Sequence, residues 1–228
     1  MHDAMLPPLA VSMGEPAGDG PDLILNLYAN RQALGLPPFA VYGNLGFLAT
    51  RARRLKLDVA FMATTPQNAT AEFPAALPVV HIDGLVSDKP GEPSALSSKV
   101  VIESISRAVA DSLIGACRGV VTAPIHKAAL YASGYKFPGH TEFLAALCAR
   151  NGVVLTPVMM LVHGALRVVP ATIHVPLAAV PGMITSDLIL RTGRVVAHDL
   201  RTRFDIAEPR IGVAALNPHA SEGGTIGT

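Results

Sequence analysis

The feature that most constrains this chain is an alternation. Short runs rich in Val, Ile and Leu end in Gly, Pro or Asn, and stretches with a helical period follow them. Leu9 to Met13 reads as a strand that runs into the loop Gly14-Glu15-Pro16-Ala17-Gly18-Asp19-Gly20. Pro21 then suits the first turn of a helix, where its missing N–H costs nothing. Phe39 to Tyr42 and Val79 to Ile82 are further strands by the same criterion. Ser94 to Arg118 carries the clearest helical period. Val100, Val101, Ile105, Val109, Leu113 and Ile114 fall on one stripe, with Lys99, Glu103, Arg107 and Asp111 elsewhere. Gly119 to Thr122 is the next strand, and a helix is expected from near Thr141 to Arg150. Pro157 to Val162 and Leu166 to Ile173 flank His163-Gly164-Ala165 as a hairpin. Ser186 to Arg203 is helical, and Ile211 to Leu216 is the last expected strand. Strands alternating with helices predict an α/β fold with a mostly parallel sheet, and the hairpin adds some antiparallel strands.

Residues 85–94 form the most loop-like interior segment but are too short for a domain linker, so no internal boundary can be drawn. Asn217 to Thr228 is polar and glycine-rich. An α/β unit normally covers its strand with another helix, so the architecture reads as stopping before it is complete.

Composition narrows the class. The chain has 228 residues, of which 50% are hydrophobic, enough for one large core or two small ones. A formal net charge of +1 gives no general reason to expect nucleic acid or an anionic membrane as partner. Arg51, Arg53, Arg54 and Lys56 read as a solvated helix face. Cys117 and Cys148 are too few and too far apart for a secreted disulfide framework. Met1-His2-Asp3 lacks the basic opening of a signal peptide, and the apolar runs are too short to span a bilayer. These observations lead to an expectation of a soluble, cytoplasmic protein.

Ligands in open α/β sheets collect outside the carboxyl ends of strands. Several expected strand ends here carry histidine: His126 and then His140 after Gly119–Thr122, His174 after Leu166–Ile173, and His219 after Ile211–Leu216. From its position alone, His174 fits a satisfied core histidine as well as a metal ligand. His219 follows the stiffening Pro218 and suits a ligand better. His140 opens a helix, where free backbone N–H groups could face an anion. Otherwise it is simply an N-terminal helix residue. His2, His81, His163 and His198 read as tail, turn or surface residues. The glycine loop at 14–20 matches neither the Rossmann nor the Walker spacing, and Glu15 and Asp19 would repel a phosphate. A tight strand-to-helix turn explains it. With no hydrolase elbow, no His-Glu-x-x-His and no close cysteine pair, local pattern stops at an α/β enzyme with histidines at strand ends.

Five segments in order are more specific: Gly14 to Pro21, Thr122 to Lys127, Gly139 to Phe143, Ala171 to Leu177, and Leu216 to Gly224. Together they resemble the 4-hydroxythreonine-4-phosphate dehydrogenase family over essentially the whole chain. The resemblance implies an α/β fold like that of the isocitrate and isopropylmalate dehydrogenases. It also implies a homodimer with active sites at the subunit interface and a small phosphorylated substrate. His140 and Thr141 match substrate-contacting residues, and His174 and His219 match two of three histidines that bind a divalent metal (Zn, Mg, Mn or Co). The implied reaction is oxidation of 4-phosphooxy-L-threonine by NAD or NADP, with decarboxylation to an aminoketone phosphate, in pyridoxal phosphate biosynthesis. Catalytic and cofactor-binding residues are not assigned.

The departures from the family pattern also carry expectations. Family members continue past the position of Thr228, where a His-Asp-Gln-Gly segment carries the third metal histidine. Residues 1–228 therefore correspond to the N-terminal and central part of the dehydrogenase fold. Ala123 stands where glycine is usual, which is tolerable if the backbone needs no positive φ there. Asp19 stands where an aliphatic residue is usual and points to a shifted substrate preference. Three other readings remain open: a sister dehydrogenase acting on a phosphorylated sugar acid or an aromatic dihydrodiol carboxylate, a metal-dependent hydrolase, and a truncated, non-enzymatic relative that binds metal or a partner.

Overall fold

Five short, largely apolar runs become one parallel sheet: β1 (Leu9–Ser12), β2 (Phe39–Gly43), β3 (Phe61–Ala63), β4 (Leu77–His81) and β5 (Val120–Thr122). Their order is β3-β4-β2-β1-β5, with every pairing parallel. The computed structural model describes residues 6–149, 153, 155–219, 222, 223 and 225. The chain divides into two compact units, Met1–Leu155 and Thr156–Thr228.

In the first unit the crossover helices are α1 (Gly20–Ala29), α2 (Leu45–Arg54), α3 (Pro66–Glu72) and α4 (Ser98–Leu113); α5 (Lys127–Tyr131) and α6 (His140–Cys148) follow β5. All of β2 is buried, as expected for a central parallel strand covered on both faces. Its alternate residues divide between two cores. Phe39 and Val41 pack with Leu25, Tyr28, Leu48 and Leu77, while Ala40 and Tyr42 pack with Val80, Ala108 and Cys117. A third cluster joins Val101, Ile105 and Val109 of α4 to Leu130, Tyr135 and Phe143. Full burial of each such aliphatic side chain contributes roughly 1.5–3 kcal/mol before chain entropy is counted.

Sequence and structure differ at identifiable places. The helical stripe holds as far as Val109, but Leu113 and Ile114 are 40% and 73% exposed because α4 ends there. The helix expected to Arg150 closes at Cys148, and Arg150 itself lies outside the described residues. Two elements had no strong apolar period: β3 is a three-residue edge strand, and α3 is the polar run Pro66–Glu72. Both cysteines are free, as expected.

The largest correction concerns the cationic cluster. Arg53, Arg54 and Lys56 are exposed, but the Arg51 side chain is only 1% exposed. Its guanidinium donates to the Pro16 carbonyl and faces the carboxylates of Asp22 and Asp88. A buried guanidinium is sustained only where acceptors surround it, and those acceptors lie far away in sequence.

In the second unit, β6 (Leu161–His163) and β7 (Leu166–Val168) form the predicted antiparallel hairpin around Gly164-Ala165. Gly164 has φ 55°, the left-handed conformation that a tight hairpin turn requires. The strands are shorter than expected. β7 stops at Val168, and Pro170 has no N–H with which to extend a ladder. Ile211–Leu216 is exposed and pairs with no strand among the described residues. A strand exists through its ladder, so apolar composition alone does not make one. The helices α7 (Val180–Met183) and α8 (Ser186–Thr202) complete this unit. Thr185 caps α8 by accepting from the Leu188 N–H at 3.1 Å.

Candidate functional site

The sheet order fixes where a ligand site should form in the first unit. The chain leaves β1 for β2, β3 and β4 on one side, and β5 then pairs with β1 on the other. The carboxyl ends of β1 and β5 therefore flank a topological switch point, the usual binding crevice of such sheets. The glycine loop 14–20 leaves β1 there, and Ala123-Pro124 leaves β5.

These two loops are packed together. The Glu15 N–H donates to the Pro124 carbonyl at 2.9 Å. Gly14 has φ 73°, and a Cβ on it would lie 2.7 Å from both Ala123 Cβ and the Pro124 carbonyl oxygen. Glycine is thus required twice over, by conformation and by space. The loop spends its own amides. The Ala17 N–H donates to Glu15 Oε1 at 3.1 Å, and the Gly18 N–H to the Glu15 carbonyl at 3.0 Å. With Glu15 buried and those amides committed, the loop does not fit the pyrophosphate of a dinucleotide. It is the tight strand-to-helix turn that its spacing suggested. Ala123 is absent from the positive-φ residues, so the methyl group there is unstrained. Asp19 is exposed and precedes α1 without a capping side-chain hydrogen bond.

His140 and Thr141 open α6, as the sequence suggested. The residue before them, Gly139, offers no side chain, and no side-chain hydrogen bond caps the helix. Its first-turn N–H groups are therefore available to an anion. His140 is half-buried, and its Nε2 is buried without a hydrogen-bond partner among the described residues. Burial lowers its proton affinity below the usual histidine range, and the nearby Lys127 ammonium lowers it further. Lys127 had not been singled out by sequence. A Cβ built on Gly139 would lie 3.5 Å from its Nζ and 3.4 Å from Glu142 Oε2, so these groups converge on the same helix start. Tyr135 steadies that start by donating to the Gly139 carbonyl at 3.2 Å. The His126 ring instead accepts from the Ala129 N–H at 3.3 Å and caps α5.

The two expected metal histidines lie in the second unit, and both are exposed. The buried-core alternative for His174 is thereby corrected. It also does not follow a strand directly, because β7 ends at Val168, and its φ is 54°. His219 has a local partner, with Nδ1 lying 2.6 Å from Glu222 Oε1. A carboxylate only accepts, so the ring's Nδ1–H points at Glu222, and in the neutral ring Nε2 keeps a free lone pair. A carboxylate behind an imidazole is the arrangement that orients many metal-binding histidines. The Asn217 side chain also accepts from the His219 N–H at 2.9 Å. Both imidazoles suit a divalent metal chemically, but among the described residues no three His, Cys, Asp or Glu side chains gather as a metal site. Ser221 and Gly224 of the same motif, and His2, lie outside the described residues. The second unit also contains a largely apolar cavity of about 760 Å³, lined by Arg167, Thr172, Val196, Leu200 and Val213 among others.

Fold and strand order together define a mostly parallel α/β protein with a topological switch point between β1 and β5, the place where such sheets usually bind ligands. Sequence comparison specifies the family. The profile described as "Pyridoxal phosphate biosynthetic protein PdxA" matches residues 36–228, and the chain belongs to that family. A relative from Xanthobacter autotrophicus, named 4-hydroxythreonine-4-phosphate dehydrogenase, is 47% identical over 97% of this chain and 63% of its own length. One of the same name from Bradyrhizobium diazoefficiens is 44% identical over 96% of this chain and 66% of its own. The crystal structure of 4-hydroxythreonine-4-phosphate dehydrogenase from Klebsiella pneumoniae aligns with a TM-score of 0.84 at 32% identity. That alignment covers 97% of this chain and 67% of the other. The chain thus spans about two thirds of the length of these relatives.

Proposed function

We propose that this chain carries substrate- and metal-binding residues of a dehydrogenase that oxidises 4-phosphooxy-L-threonine. In this reading the product loses carbon dioxide and feeds pyridoxal phosphate synthesis. The observation that carries the proposal is the 47% identity to a relative of that named activity across 97% of the chain. The free helix start at His140 supports it independently, because a phosphorylated substrate needs an anion site of this kind.

His140 and Thr141 are assigned to substrate. His140 stays neutral as pH falls further than an ordinary histidine does, and its Nε2, buried and without a partner among the described residues, is the ring atom assigned to a substrate hydroxyl. The first-turn amides of α6, with Lys127 beside them, favour the negative charge of a phosphate or carboxylate. His174 and His219 are assigned to a divalent metal, with Glu222 fixing the His219 ring. A metal held there would supply Lewis-acid polarisation of the reacting oxygen. The nicotinamide acceptor, NAD or NADP, is implied by the dehydrogenase names of the relatives, and the glycine loop is not assigned to it. A homodimer working in the cytoplasm completes the reading.

The test is to incubate the protein with 4-phosphooxy-L-threonine and NAD or NADP, with and without Zn, Mg, Mn or Co, following both nucleotide reduction and phosphate release. Metal-dependent reduction supports the proposal. Phosphate release without reduction would favour a hydrolase instead, and metal binding with neither would favour a non-enzymatic relative. Reduction with a phosphorylated sugar acid or a dihydrodiol carboxylate, but not with the threonine phosphate, would move the assignment to a sister dehydrogenase.

A further inference from the structure

We propose that Arg51 and Asp88 form a clasp that holds the 14–20 loop in place and seats residues 83–93 against it, making Arg51 a positioning residue of the loop that leaves β1 at the switch point. The inference goes beyond the reaction proposed above and does not depend on it.

The geometry is specific. Arg51 reaches from α2 into a buried position where its guanidinium donates to the Pro16 carbonyl, in the middle of the loop that leaves β1. Its Nε lies 3.3 Å from Asp22 Oδ1 on α1 and 3.2 Å from Asp88 Oδ1 in the following loop. The Phe47 ring supports the guanidinium carbon at 5.4 Å. One cation therefore ties four pieces of chain together. The 83–93 segment is held by further contacts. Arg54 pairs with Asp88 Oδ2 at 3.2 Å and also donates to the Asp88 carbonyl at 3.2 Å. The Gly91 N–H donates to the Ala17 carbonyl at 2.8 Å, and the Ser87 N–H to Ser97 Oγ at 3.0 Å. The Gly91 bond places the segment directly against the glycine loop.

The charges show what the clasp does and does not do. Arg51 and Arg54 face Asp22 and Asp88, two cations against two carboxylates, so the cluster is internally neutral. Arg51 is buried, its Nη2 donates to Pro16, and its Nε lies at ion-pair distance from both carboxylates without a hydrogen bond to either, so it is not exposed to bind a ligand anion. Its contribution is the position of the loop backbone. Lysine could not replace it, because a single ammonium on a flexible stem cannot reproduce the planar fork that meets a carbonyl and two carboxylates at once.

Asp88 is the point at which to test the clasp, since its side chain is 18% exposed and its replacement leaves the sheet core untouched. Hydrogen exchange should be followed by mass spectrometry in the wild type, Asp88→Asn, Asp88→Glu and Arg51→Lys. In Asp88→Asn, peptides covering 14–20 and 83–93 should both exchange faster by about tenfold or more, while β1, β2 and β4 remain protected. Asp88→Glu should restore much of the protection, and Arg51→Lys should loosen both segments. The clasp is overturned if Asp88→Asn loosens 83–93 alone or neither segment, or if the sheet loosens to the same degree. If Arg51→Lys fails to fold, the two Asp88 variants still decide the matter.

Discussion

Gly20 and Ala123 provide a quantitative test of the packing at the switch point. A Cβ on Gly20 would lie 2.9 Å from Ala123 Cβ, 3.1 Å from the Met13 carbonyl oxygen and 3.7 Å from Pro124 Cδ. Two carbons at 2.9 Å are well inside the ~3.5–4.0 Å optimum, and both are tied to backbone. Relief therefore means moving a loop, the kind of overpacking that costs about 1–3 kcal/mol. Gly20 has no positive φ, so alanine itself is conformationally acceptable and recovers up to about 0.5–1 kcal/mol of chain entropy. The net expectation for Gly20→Ala is a loss of roughly 1–2 kcal/mol. Ala123→Gly removes the worst contact and leaves only the Met13 oxygen, which must give by a few tenths of an ångström. On its own that change should cost about 1 kcal/mol, through the freer unfolded chain and the lost methyl. In its presence Gly20→Ala should be close to neutral, so the double-mutant cycle should show a coupling of roughly 1–2 kcal/mol. Equilibrium urea unfolding of the four proteins measures it. The chain has no Trp, and all four tyrosines, Tyr28, Tyr42, Tyr131 and Tyr135, lie in the first unit, so tyrosine fluorescence reports that unit alone. Additivity within about 0.5 kcal/mol would refute the contact as the cause.

Because the folded His140 has a lowered proton affinity, the unfolded chain binds the extra proton first. Stability from this group is therefore full above about pH 6.5 and is lost as pH falls from there through the lower folded value. His140→Gln should reduce that acid-side loss in urea titrations at several pH values, and Lys127→Met should raise the His140 titration midpoint by NMR. Tyr28→Phe removes a buried hydroxyl that donates to the Phe73 carbonyl at 2.8 Å, and should cost about 1–2 kcal/mol by urea unfolding. If His219 binds metal, Glu222→Gln should weaken zinc or cobalt affinity by about tenfold or more in titration calorimetry, since an orienting carboxylate is lost. Unchanged affinity would remove Glu222 from the site.

What could be read in the sequence depended on how local the cause was. β1, its glycine loop and Pro21 form one continuous signal, since an apolar run, a required turn and a helix start follow one another within a few residues. The hairpin at Gly164 is equally local. β3 and α3 were missed because three residues at a sheet edge show no period, and Pro66–Glu72 has little apolar content. Thr65 followed by Pro66 was nevertheless a usable helix-start signal. Arg51 could not have been read correctly from its neighbours. Three arginines and a lysine within six positions look solvated, and the acceptors that bury one of them come from separate segments around residues 16, 22 and 88.

The candidate ligands differ in the same way. His140 was placed by a helix start that the sequence announces, and the structure adds the parts that only tertiary contact could supply: the unpartnered Nε2 and the Lys127 ammonium. For His174 the positional argument rested on a strand reaching Ile173. That strand ends at Val168, so periodicity no longer argues for a ligand there, and the family resemblance alone does. His219 keeps an argument of its own. Its Glu222 partner is three residues away, close enough to have been noticed in the motif, and a hydrogen-bonded carboxylate fixes which nitrogen remains free. The two metal assignments are therefore separable: a metal titration in which His219→Ala abolishes binding while His174→Ala leaves it unchanged would keep the geometric argument and remove the one carried by resemblance.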